Sequence, residues 1–174
     1  MKRKSLAVKR KVEKKNSKIK KIYPKFKSII FKNIKKDIFA VAVSGGPDSL
    51  CLAYLSKLYQ NKFKNEIHFI IIDHKLRKES AKEALKVKRI LNLKKIKSKI
   101  LQWKGKVPKS NIQKNARDIR YSLLSEYCLK NNIKFLLTGH HLDDQIENFF
   151  IRLIRGSGLS GLSSMSEISK YSTK

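Results

Sequence analysis

The run Val41 to Leu52, VAVSGGPDSLCL, constrains this chain more than any other stretch, because an apolar strand breaks at two glycines and restarts as an apolar helix. Gly45 and Gly46 can take positive φ at little cost, so successive backbone N–H groups can converge on an anion. Ser44 and Ser49 add hydroxyl donors. Pro47, Asp48 and Ser49 stand where a helix begins, and its unpaired N–H groups and positive dipole end favour phosphate. Asp48 is the odd member of the set. A carboxylate beside a phosphate chain repels it unless a divalent cation lies between them, or unless the side chain caps the helix.

A Walker A loop is excluded, since that loop needs a Lys directly after its last glycine and none follows here. SGGPDS instead resembles the pyrophosphatase loop of ATP enzymes that cut between the α and β phosphates. On that resemblance Ser44, Gly45, Gly46, Pro47, Asp48 and Ser49 are candidate ATP-binding residues.

The rest of the pattern supplies the scaffold. Predicted strands at Asp37 to Val43, Glu66 to Ile72, Lys99 to Trp103 and Lys134 to Thr138 alternate with predicted helices at Asp48 to Tyr59, Lys78 to Leu91 and Asn111 to Asn131. The residues expected to be buried are Ala81, Ala84, Leu85, Lys88 and Leu91 on the second of these helices and Ile112, Ala116, Ile119, Leu123 and Tyr127 on the third, and a further amphipathic helix is predicted over Asp143 to Arg155. Strands alternating with helices of this length predict an α/β fold, a doubly wound and mainly parallel sheet covered on both faces. Ligands of such sheets bind at the carboxyl ends of the strands. The unusual sequences fall there: SGGPDS after the first strand, DHKLR after the second, GHHLDDQ after the fourth.

Charge narrows the partner. The chain has 42 Lys plus Arg against 13 Asp plus Glu, a formal net charge of +29 that points to a polyanion. Residues 1–36 carry 16 basic side chains and one acid, Glu13, so this segment reads as a flexible Lys-rich arm, disordered or marginally helical when free, with residues 37–174 as one domain. Lys is abundant throughout, which makes Arg the more telling cation: only eight of the 42 are Arg, and Arg77, Arg117 and Arg120 stand in the unusual segments. Two cysteines, Cys51 and Cys128, far apart and within predicted helices, argue against a disulfide framework and fit a reducing cytoplasm. No apolar run approaches the roughly 20 residues of a membrane span, so no membrane is expected among the partners.

Three constellations complete the candidate site. Asp73, His74 and Arg77 close the second strand, where a carboxylate or imidazole can face an adenine or ribose and the guanidinium a phosphate. Arg117 and Arg120, three apart in NARDIRY, share a helical face suited to RNA phosphate or a polarised base. His140, Asp143 and Asp144 lie in GHHLDDQIEN at a helix start, where magnesium binding, proton transfer and placement of an amine nucleophile all remain open, as does helix capping by the acids.

Taken in order, AVSGGPDSL, IIDHKLRKES, NIQKNARDIRY, GHHLDDQIEN and RLIRGSGLSGL resemble the N-terminal catalytic domain of the tRNA(Ile)-lysidine synthetases, over about Ile38 to Met165. The resemblance implies an adenine-nucleotide alpha-hydrolase-like (PP-loop) fold and a ligase in the cytoplasm. Its partners would be ATP, free L-lysine, tRNA(Ile) and a second copy of the chain. ATP would adenylate the carbonyl oxygen of the wobble cytidine, and the lysine side-chain amine would then displace AMP. It further implies catalytic roles for Asp48, Arg117, Arg120, His140, Asp143 and Asp144, with Mg2+ on Asp48 and Asp144. Two alternatives stand beside it: another PP-loop tRNA modifier that thiolates, and a truncated RNA-binding module. Family members continue beyond the RGSGLSGL turn, so the domain is expected to be incomplete at Lys174, with ATP binding retained and turnover weak.

Overall fold

The computed structural model describes residues 19–105 and 112–139, and side chains there except those of 112–114. Helix α1 spans residues 19–33. It is followed by β1 (Phe39–Ala42), α2 (Pro47–Phe63), β2 (Ile67–Asp73), α3 (Ser80–Leu93), β3 (Ser98–Gln102), α4 (Ile112–Lys130) and β4 (Phe135–Leu137). The strands form a parallel sheet in the order β3-β2-β1-β4. The chain thus steps outward from β1 to β3, then crosses through α4 to the other side of β1. The reversal makes the carboxyl ends of β1 and β4 a topological switch point.

Alternation along the strands decides what covers each face. Phe39, Val41 and Val43 of the β1 segment and Ile67, Phe69 and Ile71 of β2 pack with Ala53 and Tyr59 of α2 and Ala84, Val87 and Leu91 of α3. The opposite face presents Ala40 and Ile70 to Leu124 and Cys128 of α4 and to Ile133. Apart from His68 and Asp73 of β2, both central strands are therefore apolar on both faces, as a covered parallel sheet demands. Edge strand β3 carries the exposed Lys99 instead.

The sequence periodicity is off by a residue or two on two helices. On α3 the expected stripe was Ala81, Ala84, Leu85, Lys88 and Leu91, whereas the buried residues are Ser80, Ala84, Val87 and Leu91, with Leu85 exposed. On α4 the expected stripe was Ile112, Ala116, Ile119, Leu123 and Tyr127, but Ile119, Leu124 and Cys128 are buried. Cys128 behaves here as a small hydrophobe. The side chain of Ile112 and the helix expected over Asp143 to Arg155 lie outside the described residues.

The larger correction concerns the basic arm. Residues 19–33 are helix, and Phe26, Ile30 and Ile34, four apart, sit in the main core, with Phe26 edge-on to Tyr59 at 6.3 Å between centroids. The lysines occupy the other side of the helix, so composition masked an amphipathic pattern. Buried Asn65 ties the end of this segment down: its amide donates to the carbonyls of Lys35 (3.1 Å) and Asp37 (3.5 Å). Residues 1–18 lie outside the described residues. Among the described residues no helix is long and apolar enough to cross a membrane.

A packed α1 and a flexible arm predict different costs for one substitution. Ile30→Ala should lower the unfolding free energy by about 2–5 kcal/mol, whereas Lys25→Ala on the exposed side should change it by no more than about 0.5 kcal/mol. Urea titrations followed by circular dichroism measure both, and coincident midpoints would mean that α1 does not pack.

Candidate functional site

The site is built where β1 ends. Val43 still pairs with β2, its N–H donating to the Ile70 carbonyl at 2.8 Å, and the chain then turns through Ser44, Gly45 and Gly46 into α2. Gly45 takes φ +93°, and a Cβ there would stand 2.5 Å from Val87 Cγ2. The turn therefore lies directly on α3, an approach only glycine permits. Ser49 braces it from inside: its hydroxyl donates to the Gly46 carbonyl (3.0 Å) and accepts from the Gly45 N–H (3.1 Å) and the Ser44 hydroxyl (3.1 Å). Ser49 was expected to offer a hydroxyl to an anion; in this geometry its one proton is committed to the loop. Ser44 is exposed at the rim.

Gly46 is the N-cap of α2, with no side-chain cap bond, and Pro47 follows at the first turn. Asp48 is therefore not the N-cap. It stands exposed in the first turn of α2.

β4 closes the site from the other side. A Cβ on Gly139 would lie 2.8 Å from both the N and Cα of Ser49, so the segment leaving β4 rests on the backbone of α2's first turn. This contact joins the two strand ends of the switch point. His140, Asp143 and Asp144 follow Gly139 in sequence and lie outside the described residues.

Between these parts opens a cleft of about 370 Å³, lined among others by Ser44, Ser49, His74, Arg77, Arg120 and Thr138. That is the size of a small-ligand site. His74 points its chemistry into it: burial, then the Arg120 and Arg77 guanidinium groups, hold its pKa below the usual histidine value against the opposing pull of Asp73 and Glu83. Its Nδ1 accepts the Leu76 N–H at 3.4 Å, as a neutral ring can. Arg77 lies 3.3 Å from Glu83, an exposed pair. Arg120 and Arg77 give the cleft a positive field suited to an anion.

Two candidates have other duties. Asp73 is almost wholly buried; its carboxylate accepts from the Ser80 hydroxyl (2.6 Å), the Lys75 N–H (3.1 Å) and the Gln102 amide (3.5 Å). It was expected to face a ligand. Strand alternation turns it toward α3 instead, where it fixes the loop that carries His74 and Arg77. Ser80, the first residue of α3, spends its hydroxyl on Asp73 rather than on a cap. Arg117 was expected to join Arg120 as a clamp; it is exposed and lies over the Tyr121 ring at 5.6 Å, while Arg120 and Tyr121 line the cleft. Sequence reasoning missed Val87, Thr138 and the packing role of Gly139. The position of Thr138 and Gly139 at the end of a strand beside β1 was the available signal. Among the described residues no three His, Cys, Asp or Glu side chains group to hold a metal.

Two predictions follow from this packing and charge. Gly45→Ala should cost about 1–3 kcal/mol through overpacking, and Val87→Ala in the same chain should return part of that loss, because the opposing atom is a side-chain methyl. Gly139→Ala meets backbone, so Val87→Ala should return none; thermal denaturation of the singles and doubles decides. Because the folded-state pKa of His74 is depressed, its contribution to stability is complete above the ordinary value near 6.5 and is lost as pH falls through the folded one. A His74→Gln variant should therefore lose less stability between pH 7 and pH 5 than the parent, and an anion entering the cleft should raise the His74 midpoint in an NMR titration.

A PP-loop domain model matches residues 12–174. Curated relatives include tRNA(Ile)-lysidine synthase of Orientia tsutsugamushi (strain Boryong), 52% identical over 125 residues, 72% of this chain and 28% of that protein. The Wolbachia pipientis wMel synthase is 48% identical over 128 residues, 72% of this chain and 30% of that protein. The chain thus spans about three tenths of the length of these relatives. Among solved structures, a U34-tRNA thiolase from Methanococcus maripaludis with its [4Fe-4S] cluster superposes with a TM-score of 0.62 at 23% identity, covering 69% of this chain and 44% of that one, a likeness of fold. With its turn, its parallel sheet and a match over residues 12–174, the chain belongs to the PP-loop domain family, and the curated relatives it resembles there are tRNA(Ile)-lysidine synthases.

Proposed function

We propose that this chain forms the ATP-binding catalytic part of a tRNA(Ile)-lysidine synthase. The observation that carries the reading is the convergence on one cleft of the Ser44 to Ser49 turn, the amino end of α2 and the Arg77 and Arg120 side chains. Backbone N–H groups at a helix start and two guanidinium groups are what a triphosphate requires. The curated relatives carry the choice of reaction.

In this reading the turn holds the phosphates, with Ser44 at the rim and Gly45 and Gly46 leaving the backbone bare. His74, neutral in the cleft, contacts the nucleoside, and Arg77 and Arg120 take up charge on the phosphates. The carbonyl oxygen of the wobble cytosine attacks the α-phosphorus and pyrophosphate leaves. The lysine side-chain amine then attacks the activated ring carbon, and AMP departs with the former carbonyl oxygen. An unactivated cytosine carbon is a poor electrophile, and the phosphate ester supplies the missing leaving group. His140, Asp143 and Asp144 are assigned to holding the metal, placing the amine or accepting its proton.

Magnesium suits the residues present. Asp48 is an exposed carboxylate in the first turn of α2, beside the turn assigned to the phosphates. Mg2+ commonly takes one or two carboxylates together with substrate phosphates and keeps several waters, so a full protein cage is not needed. Asp48, with Asp144 as the second carboxylate, would hold the ion, which when bound offsets charge on the leaving pyrophosphate. Thiolation would instead draw on cysteine, and burial pushes the Cys128 thiol up, away from the reactive thiolate.

Isothermal titration should show magnesium-dependent ATP binding by this chain, weakened at least tenfold by Asp48→Asn; an unchanged affinity would remove the cation from Asp48, since Asn serves a helix start as well as Asp. With tRNA(Ile) and lysine, a fully competent form of the enzyme should convert labelled ATP to AMP and pyrophosphate, and this chain alone should turn over weakly. ADP as product would overturn the mechanism, and AMP release that needs a sulfur donor instead of lysine would overturn the reaction assignment.

A further inference from the structure

The end of the sheet opposite the cleft has a feature that the ATP site does not use. All four strands are parallel, and each is entered directly after a helix, so the ends of α1, α2, α3 and α4 gather along the amino edge. Just past those ends, Lys35, Lys64, Lys95 and Asn132 have positive φ, at 55°, 60°, 57° and 53°. Gly or Asn is the usual occupant of such a position, because a Cβ is strained there. Three of the four are instead exposed lysines.

The surroundings add to the charge. The junctions 34–38, 64–66, 94–97 and 131–134 together hold seven lysines and two acids, Asp37 and Glu66, and Glu66 is paired with His68 at 2.8 Å. The edge is also stiff. Asn65 and Tyr59 both donate to the Lys35 carbonyl, at 3.1 and 3.5 Å, and the Ile96 and Ile133 N–H groups close the ends of α3 and α4 on Leu91 and Cys128, at 3.0 and 2.8 Å. Part of the benefit of these cations is local, since a helix carboxyl end favours positive charge. That benefit does not require the strained position itself, because a lysine in the last turn serves the dipole without a positive φ.

We propose that this amino edge is a second RNA-contacting surface, a row of backbone-fixed lysines that takes phosphates of the same tRNA whose wobble base enters the cleft. The proposal rests on the RNA partner of the preceding reading. Four strands at ~4.8 Å spacing lay the junctions out over about 15 Å. The 17 residues of α2 separate edge from cleft by roughly 25 Å, too far for a nucleotide but within the span of a folded RNA. Phosphate contacts of this kind position a nucleic acid without reading its sequence.

Glycine provides the test, because it suits a positive φ better than lysine does while removing the charge. The triple variant Lys35→Gly, Lys64→Gly, Lys95→Gly should melt at the same temperature as the parent or higher, and should keep its ATP affinity. In filter binding of tRNA from 50 to 200 mM salt, its log K against log salt slope should shrink by about two to three. A control with equal charge loss on exposed α3 positions, Lys82→Gln, Lys86→Gln, Arg89→Gln, should shrink the slope by less than about one. Equal effects of the two triples, or an unchanged slope in the glycine variant, overturn the proposal while leaving the function reading intact. Loss of binding to phosphatidylserine vesicles with tRNA binding unchanged also overturns it, in favour of a membrane surface. If the parent binds no tRNA, this proposal and the RNA partner fall together; if tRNA binding behaves as expected but ATP does not bind, the function reading falls alone.

Discussion

The packing of bare backbone at the switch point is the constraint on which the site depends. Gly45 lies against Val87, and Gly139 lies against the backbone of Ser49. The first contact sets the turn on α3; the second sets the end of β4 on α2. Neither can accept even a methyl group without movement, and in the second case the obstacle is main chain, which has no rotamer by which to yield. α3 and the end of β4 are thereby each set against the segment formed by the turn and the start of α2, and the cleft is the space they leave.

The same economy governs the faces of the sheet. β1 shows Phe39, Val41 and Val43 to α1, α2 and α3 but only the small Ala40 and Ala42 to α4, so bulk on one side is matched by close approach on the other. Asp73 and His74 show how sharply strand alternation divides labour. One residue turns its carboxylate inward to brace the loop; its neighbour turns a neutral imidazole into the cleft. Adjacent polar residues at a strand end thus do unlike things, and residue type alone does not tell which is which.

That is why parts of the site were legible in sequence and others were not. SGGPDS between an apolar strand and helix announced its turn, because glycine, proline and a following apolar run each have a local physical meaning. The βα alternation announced the parallel sheet for the same reason. Asp73 and Arg117 were misplaced because facing depends on a one-residue phase that charge does not reveal. Val87 was missed because an apolar residue on a helix reads as core, and here it is core that also shapes the glycine turn. The helix at residues 19–33 was hidden by composition: lysines between Phe26, Ile30 and Ile34 gave the impression of a solvated arm, although the apolar spacing of four was present. His140, Asp143 and Asp144 lie outside the described residues.

Parallel wiring also gives the molecule an electrical direction. Every crossover helix runs against the strands, so their amino ends face the cleft edge and their carboxyl ends the opposite edge. Dipoles alone would make the first edge positive and the second negative. The first keeps its sign and gains Arg77 and Arg120, which suits a triphosphate. The second is reversed by lysines placed even where backbone conformation disfavours them. A fold whose dipoles favour one anionic site thereby becomes cationic at both ends, and a polyanion long enough to reach both is the partner that such a reversal serves.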